Sequence, residues 1–226
     1  MEEVELLSRI PLFTSLKPEH LNEIAGKLTL RNYKRGTTIF HKDDPGSTLY
    51  IIKTGQVKIG APSPEGEEMI LAILTDGDFF GELSILDGKP RSASATAMET
   101  TDTLILNRND LLDVITGEPE VGIGMLATLS ERLRCADLLL EDAVFLDLPA
   151  RLAKRLLELV EKHGVETDEG LMIDMRLTQH DLANAIGASR ESVNRLLGMF
   201  QDEGLISIDK QRIHVLRREG LKGYIC

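Results

Sequence analysis

The chain has 226 residues, 42% apolar and 28% charged, with a net charge of −11; this is an ordinary globular composition, long enough for one large domain or two modest ones. No apolar run reaches the roughly eighteen residues of a membrane span, and the acidic start MEEVELLSRI is neither a secretory nor a transit sequence. Two cysteines, Cys135 and Cys226, offer no disulfide framework and no ligand cluster, so a reducing cytosol is the expected compartment.

The acidity is uneven. Residues 149–226 carry twelve basic and twelve acidic side chains, so the whole acidic excess falls in residues 1–148. Such asymmetry predicts two domains with different partners, and net charge says little where one local face binds.

Residues 1–25 predict short helices. Pro11-Leu12-Phe13 and Leu16 to Ile24 are apolar at helical spacing, and Ser15 to Glu19 resembles a capped start. From Arg31 to Asn107 the texture changes. Runs such as Thr37-Thr38-Ile39-Phe40, Leu49-Tyr50-Ile51-Ile52 and Gln56-Val57-Lys58-Ile59 are bounded by glycines, with Gly36, Gly46, Gly55, Gly60, Gly66 and Gly77 punctuating the segment. Short strands at close turn spacing predict an all-β sandwich or barrel.

From Val121 the pattern is helical. Gly122, Leu126, Leu129, Leu133, Ala136, Leu140 and Ala143 alternate at spacings of four and three, a heptad seam, with Glu131, Arg132, Arg134, Asp137 and Glu141 off it. Such a helix either pairs with its copy in a second chain or packs on its own barrel; the narrow seam suits a coiled coil. Asp147 followed by Pro149 predicts an N-cap and a new helix to His163, with Leu152, Leu156, Leu159 and Val160 as its apolar face and Gly164 as its end. The expected divisions are 1–117, 118–146 and 147–226.

Residues 177–200 read LTQHDLANAIGASRESVNRLLGMF. Thr178 caps a predicted helix to Ile186, Gly187 makes a sharp turn, and Ser189 caps a second helix whose buried side is Val193, Leu196, Leu197 and Phe200. The outer face carries Arg190, Glu191, Asn194 and Arg195. In a helix-turn-helix the start of the second helix reaches base edges in the major groove, where arginine pairs with guanine O6/N7 and glutamate accepts from cytosine N4. Gly204 to Ile208 and Arg212 to Leu216 then alternate around a polar turn at residues 209–211, predicting a hairpin wing with Lys210 and Arg212 placed for phosphates. The bland alternative is a helical hairpin with ordinary surface charges.

The stretch GELSILDGKPRSASA, residues 81–95, holds one acid, Glu82, and one fixed cation, Arg91. Alone, the two would neutralise one another inside the barrel. A guanidinium also pairs with phosphate oxygens bidentately, a helix start adds partial positive charge, and a carboxylate accepts from a hydroxyl, so the two would equally suit a ligand with a phosphate and a free hydroxyl.

The run Ala188 to Arg195, ASRESVNR, closely resembles the recognition helix of the CRP/FNR family of bacterial transcription regulators. Gly81-Glu82-Leu83 and Arg91-Ser92-Ala93 resemble the ends of that family's phosphate-binding cassette, and with the heptad helix the resemblance spans nearly the whole chain. It implies an α+β fold. The expected parts are an N-terminal β-roll of the double-stranded β-helix or jelly-roll type that binds a cyclic nucleotide, a long dimerisation helix, and a C-terminal winged helix-turn-helix.

It also implies a cyclic nucleotide, most simply cAMP, as allosteric ligand rather than a cofactor, held by Gly81, Glu82, Leu83, Arg91, Ser92 and Ala93. Arg132 would help place Glu82 or the ligand. Ala136 and Asp137 stand where cAMP-responsive members carry two polar base-reading residues. Ala136 cannot hydrogen-bond, whereas Asp137 can accept from an adenine amino group or from guanine N1–H and N2–H. A homodimer is implied along Leu126, Leu129, Leu133, Ala136 and Leu140. DNA contacts are implied for Thr178, His180, Ser189, Arg190, Glu191, Ser192, Asn194, Arg195, Lys210 and Arg212, on a palindrome of TGTGA-like and TCACA-like half-sites, with RNA polymerase as a further partner and no membrane.

Other sensors of the family are not matched. No cysteine lies in residues 1–134, so an iron–sulfur cluster is not expected. The loop Thr75-Asp76-Gly77-Asp78 has no Cys/His pair for haem, and His20, His41, His163, His180 and His214 show no metal-ligand spacing and are expected at the surface or as caps. Family members that have lost nucleotide dependence usually degrade the Glu and Arg positions, which are intact here. A regulator answering a different signal, or a redox role for Cys135, remains the alternative. No P-loop or nucleophile–base pair points to an enzyme.

Overall fold

The computed structural model describes residues 2–10, 12–14, 16–62, 68–168, 170–175, 177–209 and 212–225. Expectations placed on Pro11, Ser15, Gly66, Lys210, Gln211 and Cys226 lie outside the described residues. The chain forms two compact units, Met1–Gly66 with Leu71–Cys135, and Glu67–Ile70 with Ala136–Cys226.

The first unit begins with helices α1 (Glu2–Arg9) and α2 (Pro18–Lys27). α2 starts on Pro18 with Lys17 as N-cap and no side-chain cap bond. Proline at the first helical position needs no partner for an N–H it lacks, which suits it to start the helix. Eight strands follow: β1 (Thr29–Tyr33), β2 (Thr38–Phe40), β3 (Thr48–Thr54), β4 (Val57–Pro62), β5 (Glu68–Leu74), β6 (Phe79–Phe80), β7 (Ser94–Ala97) and β8 (Thr101–Asn107), with the short helix α3 (Glu82–Asp87) between β6 and β7. Helices α4 (Arg108–Gly117) and α5 (Pro119–Phe145) come next; α4 is a helix the sequence reading did not anticipate.

The strands form two four-stranded sheets, ordered β1-β8-β3-β6 and β2-β7-β4-β5. Period-two alternation explains their stacking. In β3, Leu49 and Ile51 join a core with Leu7, Phe13, Ile24, Leu111, Val121 and Met125, so one sheet face is covered by α1, α2, α4 and the start of α5. Tyr50 and Ile52 point the other way and join Val57, Leu74, Phe80 and Ala95, a core that bridges both sheets. β3 is therefore buried on both faces, as its unbroken apolar run requires.

The second unit holds α6 (Leu148–His163), β9 (Gly164–Thr167), β10 (Gly170–Ile173), α7 (Gln179–Ile186), α8 (Arg190–Asp202), β11 (Ile206–Asp209), β12 (Arg212–Val215) and α9 (Arg218–Lys222). The Asp147 side chain accepts from Ala150 N–H at 3.0 Å, as its N-cap reading requires. β11 and β12 pair as the expected hairpin, Asp209 opposite Arg212. They are half of a four-stranded sheet, β11-β12-β10-β9, whose other hairpin was not anticipated. His214, expected at the surface, is buried in that sheet opposite Met172. The family-specific architecture of roll, long helix and winged helix-turn-helix is thus the observed one.

Candidate ligand clamp and DNA-reading helix

Gly81 follows β6, and its φ of 82° is a left-handed conformation that glycine adopts without strain. The turn launches α3 and sends Glu82 inward, leaving it 4% exposed. Its Oε1 accepts from Arg132 Nη1 at 2.8 Å. Arg132 also donates to the Phe79 carbonyl, and its guanidinium lies 4.9 Å over the Phe79 ring. Leu83 and Ser92 are exposed, and Ala93 is buried.

Arg91 is 3% exposed. Its backbone is pinned to the neighbouring loop: Arg91 N–H donates to Asp44 O at 2.9 Å, and Asp43 N–H donates to Arg91 O at 2.8 Å. In the side chain, Nη1 donates to Gly81 O at 2.6 Å, and Nη2 donates to Thr48 O at 2.9 Å and Thr48 Oγ1 at 3.0 Å. The Phe40 ring closes one face, 4.3 Å from Cζ. A Cβ at Gly46 would lie 2.6 Å from Arg91 Nε, and one at Gly81 would lie 2.6 Å from Nη1. Both glycines therefore make room for the guanidinium.

Sequence alone allowed Glu82 and Arg91 to neutralise each other. The structure gives Glu82 to Arg132 instead, and among the described residues Arg91 makes no ion pair. All three of its acceptors are neutral, and Nε is buried with no acceptor. Burial pulls the Arg91 pKa below the usual guanidinium range, opposed by Tyr50, Glu82 and Asp44. A buried charge without a counterion costs several kcal/mol, of which neutral hydrogen bonds return a part. The site can therefore gain from an anion beside Nε, with the Glu82 carboxylate close by as an acceptor for a hydroxyl.

Along α5 the seam residues Leu126, Leu133 and Leu140 are 64%, 63% and 66% exposed, while Leu129 is half-buried. Ala136 and Asp137, one turn beyond Arg132, are exposed. Cys135 is a free thiol, half-buried.

In the second unit Thr178 and Asp181 form a reciprocal capping box at the start of α7, with the Asp181 N–H donating to Thr178 Oγ1 at 3.1 Å. Gly187 (φ 64°) makes the left-handed turn into α8. Ser189 caps α8, accepting from Ser192 N–H at 3.2 Å. Val193, Leu196, Leu197 and Phe200 are buried, and Arg190, Glu191, Asn194 and Arg195 are exposed on the opposite face. The Asn194 side chain is held by Gln179, whose Nε2 donates to its Oδ1 at 2.7 Å, and His180 lies 3.3 Å from Asn184. Among the described residues no ion pair occupies Arg190, Glu191 or Arg195. Arg212, expected free for phosphate, lies 3.4 Å from Asp174 Oδ1. That pair is partly exposed and worth at most about 1 kcal/mol, so a phosphate can displace it. Lys210 falls outside the described residues.

Two residues that shape the surroundings of Arg91 escaped the sequence reading. Gly46 was read only as a turn glycine and Thr48 not at all, because their meaning comes from Arg91, forty-three residues further on from Thr48. No helix is long and apolar enough to cross a membrane among the described residues.

Comparison with known proteins agrees with this geometry. A cyclic nucleotide-binding domain model matches residues 30–118, and a Crp-like helix-turn-helix domain model matches residues 150–224. The chain is 36% identical over 217 residues to the CRP-like cAMP-activated global transcriptional regulator of Mycobacterium tuberculosis, covering 96% of this chain and 97% of that one. It is 37% identical over 205 residues to the cyclic AMP receptor protein of Thermus thermophilus, covering 91% and 92%. The crystal structure of a CRP/FNR-family transcriptional regulator from Thermus thermophilus superposes with a TM-score of 0.73 at 28% identity, over 87% of this chain and 98% of that one. A nucleotide-binding roll followed by a Crp-like DNA-reading domain, shared with these relatives over almost their full length, makes this chain a member of the CRP/FNR family of DNA-binding transcription regulators.

Proposed function

We propose that the protein is a homodimeric, sequence-specific transcription regulator switched by a cyclic mononucleotide, with cAMP as the ligand. The observation that carries this reading is Arg91: a buried guanidinium whose acceptors are all neutral and whose Nε has none. A cyclic phosphate supplies the missing anion. A ribose 2′-hydroxyl then donates to Glu82, which Arg132 holds in place. The two relatives named for cAMP support the choice of base.

The exposed Leu126, Leu133 and Leu140 on α5 support pairing with a second copy, because large apolar side chains in a continuous heptad stripe gain by mutual burial. Ligand binding shifts the population toward the dimer in which both α8 helices meet successive major grooves, about one helical turn apart. Arg190, Glu191 and Arg195 then read TGTGA-like half-sites, and the bound dimer engages RNA polymerase.

A second reading rests on Ala136 and Asp137. Ala136 offers no hydrogen bond, and an ionised Asp137 only accepts; guanine N1–H and N2–H would satisfy such a carboxylate as a pair. Under this reading the same DNA regulator answers cGMP. Calorimetry with cAMP, cGMP and 5′-AMP separates the two. The primary reading expects binding of cAMP in preference to cGMP and none of 5′-AMP; absence of binding by either cyclic nucleotide ends both.

A further inference from the structure

We propose that Thr48 is a positioning residue of the ligand clamp, its two oxygens aiming the Arg91 guanidinium at the bound anion. The proposal rests on the reading of the roll as a cyclic-nucleotide site. Thr48 opens β3 and is fixed in register opposite Asn107 of β8, so its oxygens stand on a rigid frame.

Both oxygens accept from the same nitrogen, Nη2, at 2.9 and 3.0 Å. One acceptor fixes where that nitrogen lies; two also fix how the planar group is turned. Gly81 O takes Nη1 at 2.6 Å, and Phe40 closes one face. Nε is the guanidinium nitrogen left without an acceptor, and it is buried.

The chemistry of position 48 matters as much as its place. A carboxylate there would neutralise Arg91 and take the charge the ligand needs. A hydroxyl and a carbonyl orient the guanidinium and leave its charge intact. Arginine has much rotamer entropy to lose, and here the loss has been taken before ligand arrives, which is preorganisation. A phosphate then meets an edge already turned toward it.

The backbone carbonyl survives any substitution, so Thr48→Val removes the hydroxyl alone while keeping the β-branch a strand favours. The test uses the full-length protein with two readouts: calorimetric titration with cAMP, and the Arg91 Nε–Hε resonance of the ligand-free protein, assigned by its loss in Arg91→Lys. Thr48→Val is expected to weaken cAMP binding about tenfold, because the guanidinium then has to be ordered by the ligand itself, and to displace the resonance. Thr48→Ser, which restores the hydroxyl, should bind within about twofold of the wild type, with the resonance unmoved. Thr48→Ala should match Thr48→Val and serves if the valine variant fails to fold.

The proposal is overturned if the hydroxyl-free variants bind like the wild type, if their Nε–Hε resonance is unmoved, or if Thr48→Ser is as weak as Thr48→Val. A wild type that binds no cyclic nucleotide, yet whose resonance moves in Thr48→Val and not in Thr48→Ser, removes the ligand reading and keeps the positioning role.

Discussion

Replacing Arg91 with methionine separates the two roles a buried arginine can have. Methionine fills a similar volume without charge. In the ligand-free protein the change removes three hydrogen bonds, at 2.6, 2.9 and 3.0 Å, each worth about 1.5–3 kcal/mol for a charged donor. It also removes a charge that burial penalises by several kcal/mol and a donor, Nε, that has no acceptor. Three acceptors lose their donor at the same time, so the two sides offset only in part and the net loss of stability is expected to stay below about 3 kcal/mol, or several degrees in Tm.

Binding is different. Losing the fixed cation opposite a desolvated phosphate costs about 3–5 kcal/mol, a hundredfold to several-thousandfold in Kd. Differential scanning calorimetry of the ligand-free variant, beside isothermal titration with cAMP, measures both terms. A variant that loses more than about 3 kcal/mol of stability while binding cAMP normally would make Arg91 a structural brace and not a ligand-binding cation.

Three further outcomes are expected. Leu126→Glu with Leu133→Glu puts charges into a seam whose leucines are now exposed; sedimentation should find monomers at micromolar concentration, with palindrome binding lost and the roll still folded. Arg190→Ala should cost about 1–3 kcal/mol on the specific site and little on scrambled DNA, whereas Arg212→Ala should weaken both alike and lower the salt slope by about one. Tyr224 donates to both Glu203 oxygens at 2.8 and 2.9 Å, which raises its pKa above 10.0. The protonated phenol is the form that the fold favours, so this contribution is complete below the ordinary tyrosine pKa and lost as pH rises through the raised one. Spectrophotometric titration should show a late-ionising tyrosine that Tyr224→Phe removes.

The legible parts of the sequence were those written locally. Thr178, Gly187 and Ser189 act within a few residues of themselves, as two caps and a left-handed turn, and the helix-turn-helix followed from them. The heptad of α5 was equally plain, since it repeats within one element. β9 and β10 were missed although Val165, Thr167, Leu171 and Ile173 alternate. Each strand is four residues long, and β9 is exposed throughout, so no apolar run marks it. α4 was missed because Arg108–Gly117 continues directly from β8 and buries only Leu111.

At the clamp the cassette motif disclosed Glu82 and Arg91, and the family resemblance named Arg132 as a residue that helps place Glu82 or the ligand, but nothing pointed to Thr48 as the partner of Arg91. Arg132 reaches Glu82 across fifty residues and Thr48 reaches Arg91 across forty-three. Such pairings are properties of the roll, made by bringing β3, β6 and α5 together, and no spacing in the chain encodes them.

Regulation turns on one step, the control of DNA binding by a cyclic nucleotide. Fluorescence anisotropy of a labelled palindrome with TGTGA and TCACA half-sites, titrated with the purified protein at fixed salt with and without cAMP, tests it most directly. Tight binding with cAMP, weak binding without it, and no response to 5′-AMP or in Arg91→Met is the predicted result. Equal affinity with cAMP, with cGMP and with no nucleotide would contradict the account.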